Sequence, residues 1–289
     1  MIEAVTGEPY AIWVQREIVE AAGLTETTPD VPVADGSELA RGHGGKTLLG
    51  RRLVFPGDQP THALASATGF VSTAADLARF FAQLSPSAEA SVLSVASRRE
   101  MSRPQWKDAL SQIPVSYGLG TIGWSFDGWE GFGHSGGFQG YITRTVTLPG
   151  QSLTLSCLTN AVDGLSHFWT DGAVAILKRF KEEGAPGAAL TDWTGRWWSV
   201  WGPTDLVPMG EKVLLAAPGM ANPFAKVAEL TVTNPGEARV SQSGAFGNFG
   251  ETARLIRAES GTVNEVHIAG GRLVTPAALA AELTGRYEA

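Results

Sequence analysis

The sequence predicts an α+β chain, with helices beside an antiparallel sheet in residues 1–184 and a small all-β barrel in residues 190–289. Three observations carry this. Apolar residues recur at helical spacing up to about residue 101, and from Tyr117 the period shortens to that of strands. Gly184-Ala-Pro-Gly-Ala-Ala-Leu190 is a linker-like run. Beyond it, turn residues recur between short strand-like segments at Gly202-Pro203, Pro218-Gly219, Asn234-Pro235-Gly236 and Gly270-Gly271.

The elements follow in order. Pro9 suits a first helical position, with Tyr10, Trp13, Val14 and Ile18 at helical spacing and Gly23 ending the pattern. Thr25 to Ala65 reads as irregular surface chain, with Pro29, Pro32, Pro56 and Pro60, and with Arg41-Gly42-His43-Gly44-Gly45 as a flexible loop. Thr73 and Asp76 have the spacing of a capping box, and Leu77, Phe80, Phe81 and Leu84 form an i, i+3, i+4, i+7 stripe. Ser94 to Met101 is a short helix candidate. Tyr117–Phe126, Tyr141–Leu148 and Ser152–Asn160 read as strands, with turns at Gly128, Gly131 and Pro149-Gly150. Asp163 to Glu183 is the strongest helix. Trp169, Ala173, Ile176, Leu177 and Phe180 line one face, and Lys178, Arg179 and Lys181 sit near its negative end. Thr194-Gly-Arg-Trp197 is echoed at Thr284-Gly-Arg-Tyr287, which points to two equivalent strand starts or to the beginning of a second barrel. The group Trp193, Trp197, Trp198 and Trp201 reads as barrel core, with a stacking platform for a sugar or acyl chain as the alternative.

Composition narrows the function classes. The 289 residues are 43% hydrophobic and 18% charged, enough to build a core. A net charge of −7 gives no general attraction to nucleic acid or to an anionic membrane. No apolar run approaches the length of a membrane span. The opening MIEAVTGEPYAIW has neither a basic nor an apolar leader region, so no signal peptide is expected there. The single cysteine, Cys157, excludes an internal disulfide and a Cys-rich metal site, and its apolar surroundings predict a buried, inert thiol. No two of the five histidines are spaced i, i+3 or i, i+4, so no metal is expected. Neither a phosphate-binding P-loop nor a strand–GxGxxG–helix unit occurs, and no cofactor is expected.

The most informative segment is Gly133-His134-Ser135-Gly136-Gly137. As a bare pattern it fits G-x-S-x-G, the nucleophile elbow of α/β-hydrolases, which would make Ser135 the nucleophile with His167 or His267. That motif needs a helix after the serine. Here Tyr141 to Leu148 follow, rich in β-branched residues, which read as a strand.

A second reading comes from ordered matches. MIEAVTGEPYAIWVQREIVEAAGLTET, ATGFVSTAADLARFFAQL and YGLGTIGW followed by GHSGGFQGY occur in the order and rough spacing of one family over about residues 1–183. The chain resembles the C-terminal part of the serine β-lactamase-like superfamily, with its class C-like esterases, D-aminopeptidases and penicillin-binding-protein-related hydrolases. The last hundred residues resemble the lipocalin-like barrel that some members carry. The resemblance implies that His134-Ser135-Gly136 is the family's third motif, Lys-Thr-Gly or His-x-Gly. His134 would then offer a hydrogen-bonding edge, the glycines a close approach for substrate, and the N–H of Gly137 an oxyanion donor.

The family's nucleophile motif is missing. None of the six lysines has a serine three residues before it, so no S-x-x-K occurs. None of the five asparagines has Tyr or Ser two residues before it, so the second motif is absent too. In relatives both lie upstream, so the chain reads as a truncated gene product, a late start or one part of a split polypeptide. The reaction implied is acyl-serine hydrolysis of a small ester, amide or D-peptide. The alternative is a non-catalytic binding or degenerate fragment. A sheet without its upstream strands is expected to expose an edge and to associate through it.

Overall fold

Two tight turns shape the central sheet. Asp127-Gly128 and Gln139-Gly140 each place both central residues at positive φ, the backbone of two-residue hairpin turns whose twist matches that of the flanking strands. Gly140 is therefore a turn residue and not part of a strand. Gly131, expected to be a turn, lies inside a long strand. The structure is a computed structural model that describes residues 1–33, 38–56, 59–107, 109–110, 115–220, 222–225, 227–244 and 248–287. It divides into two compact units, Met1–Thr170 and Asp171–Ala289.

In the first unit, α1 (Ile2–Thr6) and α2 (Tyr10–Val14) open the chain, and α2 runs on as a wider-wound turn through Glu20. Pro9 caps α2 rather than starting it. Parts of the expected irregular stretch, residues 34–37 and 57–58, lie outside the described residues. The rest is tied down. The Asp30 carboxylate accepts the N–H groups of Thr61 and His62 at 3.0 Å, and Thr28 pairs with Val71. In α3 (Ala74–Gln83) the Thr73 hydroxyl accepts the N–H of Asp76, as the sequence predicts. The carboxylate of buried Asp76 does not complete a capping box. It accepts from Glu26 N and the Thr27 hydroxyl and pairs with Arg79. Ser94 caps α4 (Val95–Ser102) in the same way as Thr73 caps α3.

Six antiparallel strands follow in sequence order: β1 (Trp106–Lys107), β2 (Ser116–Tyr117), β3 (Ile122–Phe126), β4 (Trp129–Phe138), β5 (Tyr141–Leu148) and β6 (Leu153–Thr159). The run expected as one strand over Tyr117–Phe126 is split by a turn at residues 118–121. Gly133 lets β4 and β5 close up, since a Cβ there would sit 1.9 Å from the carbonyl oxygen of Thr145. Cys157, in β6, is half-buried rather than buried, and this partial burial pushes its thiol pKa up.

Helix α5 (Ser166–Glu183) confirms the expected period but not the expected face. Ser166, Thr170, Gly172 and Val174 are its buried positions, while Trp169 is 54% exposed and Phe180 41%. Within the second unit, Arg179 and Lys212 both pair with buried Glu229.

The second unit is an eight-stranded closed barrel of antiparallel neighbours. Its strands are β7 (Gly195–Ser199), β8 (Gly202–Met209), β9 (Lys212–Ala216), β10 (Glu229–Asn234), β11 (Glu237–Gln242), β12 (Thr252–Arg257), β13 (Val263–Ile268) and β14 (Gly271–Val274). Pro235-Gly236 and Ala269-Gly270 make tight turns near the expected places. Trp193, Trp197, Leu206, Val213, Leu230 and Val266 belong to one contiguous buried cluster. The tryptophans divide: Trp193 and Trp197 are core, whereas Trp201 is 95% exposed. The Thr284–Tyr287 echo marks no strand, because it lies in α6 (Pro276–Tyr287).

Candidate active site

His134, Ser135, Gly136 and Gly137 occupy consecutive positions in the second half of β4. On one side this half pairs fully with β5: His134 with Thr145, Ser135 with Arg144, Gly136 with Thr143 and Gly137 with Ile142. On the other side the ladder with β3 ends at Gly133, opposite Ile122. Alternate residues of an antiparallel strand direct both N–H and C=O to the same side. Residues 134–138 therefore extend past β3 and present backbone groups that have no strand partner among the described residues. Gly136 and Gly137 are exposed there; a Cβ on Gly136 would meet the Thr143 hydroxyl at 2.7 Å and one on Gly137 the Ile142 side chain at 3.2 Å.

Alternation along β4 puts His134 and Ser135 on opposite faces. Ser135 shares its face with Arg144, which is buried and holds its guanidinium 4.4 Å from the Trp124 ring centroid. The His134 face carries hydroxyl pairs across β5 and β6, Thr145 with Ser156 at 2.9 Å and Thr147 with Thr154 at 3.0 Å.

The imidazole of His134 is held at both nitrogens. Nδ1 lies 2.5 Å from the carbonyl oxygen of Ser135, and Nε2 lies 3.1 Å from the Tyr117 hydroxyl. A carbonyl can only accept, so Nδ1 carries the proton. In the neutral ring Nε2 is then an acceptor, and the Tyr117 O–H donates to it. The two rings meet edge to face at 5.9 Å. The arrangement fixes the tautomer of His134 and couples its outer nitrogen to a partly exposed phenol.

The far end of β4 is fastened by a segment the sequence presents as flexible. His43 N donates to Gly140 O at 3.2 Å, and Val162 N donates to His43 O at 3.0 Å. The Asn160 side chain donates to Arg41 O at 3.0 Å, and His43 Nδ1 donates to Asn160 O at 2.9 Å. The Tyr141 hydroxyl donates to Ala40 O at 2.5 Å. A Cβ on Gly140 would meet the backbone of Gly42 and His43 at 2.5 Å, so this contact requires glycine. Arg52 pairs with Asp163 nearby and holds that carboxyl below its usual range. Sequence reasoning missed this clasp because its partners are 97 to 119 residues apart. The run of small residues at 42–45 is its only local trace.

The beta-lactamase family profile matches residues 1–177. The chain belongs to the beta-lactamase family. Among solved structures, it is similar to the octameric penicillin-binding protein homologue from Pyrococcus abyssi. The identity is 19% and the TM-score 0.52, over 95% of this chain and 62% of that one. It is also similar to a D-stereospecific amidohydrolase from Streptomyces sp., at 23% identity and TM-score 0.45 over 55% of this chain and 46% of that one. A third is the beta-lactamase/D-alanine carboxypeptidase from Pseudomonas syringae, at 15% identity and TM-score 0.46, covering 64% of this chain and 56% of that chain. The chain thus spans less than two thirds of each of these beta-lactamase-like proteins. Comparison with curated proteins gives no match.

Proposed function

We propose that this chain supplies the third-motif strand of a serine acyl hydrolase acting on an ester, amide or D-peptide. The observation that carries the reading is the stretch His134–Gly137, which runs past its last pair with β3 and bears two exposed glycines. An acyl group laid along that edge meets backbone that carries no side chain of its own at Gly136 and Gly137. The N–H of Gly137 is the proposed oxyanion donor. His134, with its tautomer fixed, offers its edge through Nε2 and the Tyr117 hydroxyl. A serine and a lysine in S-x-x-K spacing have to come from residues outside these 289, since no such pair occurs within them. That serine would form the acyl intermediate, which water then hydrolyses.

The elbow reading of Ser135 loses its support. Ser135 sits within β4, paired with Arg144 of the following antiparallel strand, not between a strand and a helix. Its neighbour His134 points to the other face. A non-catalytic binding role remains the second reading, favoured by the absence of S-x-x-K. The barrel fits the lipocalin-like assignment in strand number and in its strictly sequential strand order. Exposed Leu165, Phe168 and Trp169, together with edge strand β6, fit association with further protein. Sequencing the DNA upstream of the coding region tests the hydrolase reading. An in-frame S-x-x-K supports it, and its absence there and in any co-transcribed partner favours the binding role.

A further inference from the structure

The barrel closes through one residue pair, Val274 with Trp198, whereas every other pair of neighbouring strands is joined over three residues or more. Beside this seam lies a cavity of about 430 Å³, within the range of small-molecule sites. Trp198, Leu215, Leu273 and Leu279 give it apolar walls, and its charged lining residues are Arg272, Glu282 and Arg286. Its lining residues all belong to the second compact unit, whereas His134–Gly137 belong to the first.

Two features are not explained by folding. Val200 and Trp201 form the two-residue turn between β7 and β8, at the margin of this cavity, and are 72% and 95% exposed. Such turns ordinarily take Gly, Asn or Asp, so a Val-Trp tip satisfies no local demand and leaves a large apolar surface in water. The second feature is charge. Arg272 is matched by Glu265 and Glu282, whereas Arg286 makes no salt bridge to another described residue. An incoming cation would compete with Arg272 for its carboxylates, and an anion would meet the Arg286 guanidinium, which no described carboxylate pairs.

We propose that the seam cavity binds an amphipathic monocarboxylate. Its apolar body lies against Trp198, Leu273 and Leu279, its carboxylate faces Arg286, and Trp201 covers it at the rim. The proposal is independent of the hydrolase reading, because it uses only barrel residues.

Calorimetric titration of the full chain with decanoate at neutral pH tests it, with 1-decanol and decyltrimethylammonium as the uncharged and cationic arms. Saturable one-to-one binding of decanoate is expected, about tenfold tighter than either arm. Arg286→Gln should weaken decanoate about tenfold and leave decanol unchanged, and Trp201→Ala should weaken both about fivefold. Both residues are exposed, so the thermal midpoint of each variant should match the parent. Absence of saturable binding, equal affinity for all three probes, or unchanged decanoate affinity in both variants would overturn the proposal.

Discussion

The sheet of the first unit and the barrel of the second are both antiparallel, yet they solve the problem of strand edges differently. The barrel closes on itself and buries one contiguous apolar cluster, in which Leu230, Val213 and Val266 are fully inaccessible. The sheet stays open, every residue of β6 is only half-buried, and β4 outruns β3. Closure removes edges and yields a self-sufficient core. An open sheet leaves backbone groups available, and a strand edge is what acyl chemistry on a backbone oxyanion site requires. The candidate site is therefore found in the less self-contained unit.

This contrast can be broken by mutation. The largest effect is expected in the barrel, where Leu230→Ala should cost about 3 kcal/mol by leaving a cavity in a filled core. Leu155→Ala on half-buried β6 should cost about 1 kcal/mol. Urea denaturation followed by circular dichroism measures both, and equal losses would abolish the distinction. Gly133→Ala should cost about 2 kcal/mol in the sheet, since its Cβ collides with Thr145 backbone. Gly285→Ala in α6 meets open space and should instead be neutral or stabilise by up to about 1 kcal/mol.

The smallest expected effect is a pH dependence in the barrel. Arg272, then His267, hydrogen-bond Glu265 and hold its pKa at about 2, below the unfolded value of 4.5. Because the folded value is the lower one, the stabilisation is present above pH 4.5 and disappears as pH falls towards 2. The pair is near the surface, so Glu265→Gln should cost no more than about 1 kcal/mol at pH 7. Thermal melts of parent and variant should converge between pH 4.5 and 2, and a gap that persists at pH 2 would exclude this origin.

Legibility followed the range of the interactions. The cap at Thr73, the short helix after Ser94 and the barrel turn at Pro235-Gly236 were readable because each depends on residues a few positions apart, whereas Gly202-Pro203, expected as a turn, opens β8 just after the actual turn at Val200-Trp201. The segment Gly133–Gly137 stood out as a pattern, but its unpaired edge did not, because that depends on where β3 stops. The face of α5 was misjudged for a physical reason. Trp169, Leu177 and Phe180 repeat at helical spacing, yet Ser166, Thr170, Gly172 and Val174 are the buried residues. Periodicity gives a stripe, and only tertiary partners decide whether it is buried. The Thr284–Tyr287 echo misled because it set aside the Pro-Ala-Ala-Leu-Ala-Ala-Glu run just before it, which is strongly helix-forming. The clasp of Arg41–Gly45 on Gly140 and Asn160 left almost no local signal.

The central claim is that His134–Gly137 forms the oxyanion edge of a site whose nucleophile lies elsewhere. Fluorophosphonate labelling followed by mass spectrometry tests it most directly, applied to the chain alone and to the chain completed with the S-x-x-K-bearing segment of a beta-lactamase family member. The account predicts no adduct on the chain alone and an adduct on the supplied serine in the completed enzyme. His134→Ala should then lower kcat/KM there by about 10²–10³ without abolishing acylation. A fluorophosphonate adduct on Ser135 of the isolated chain would contradict the account.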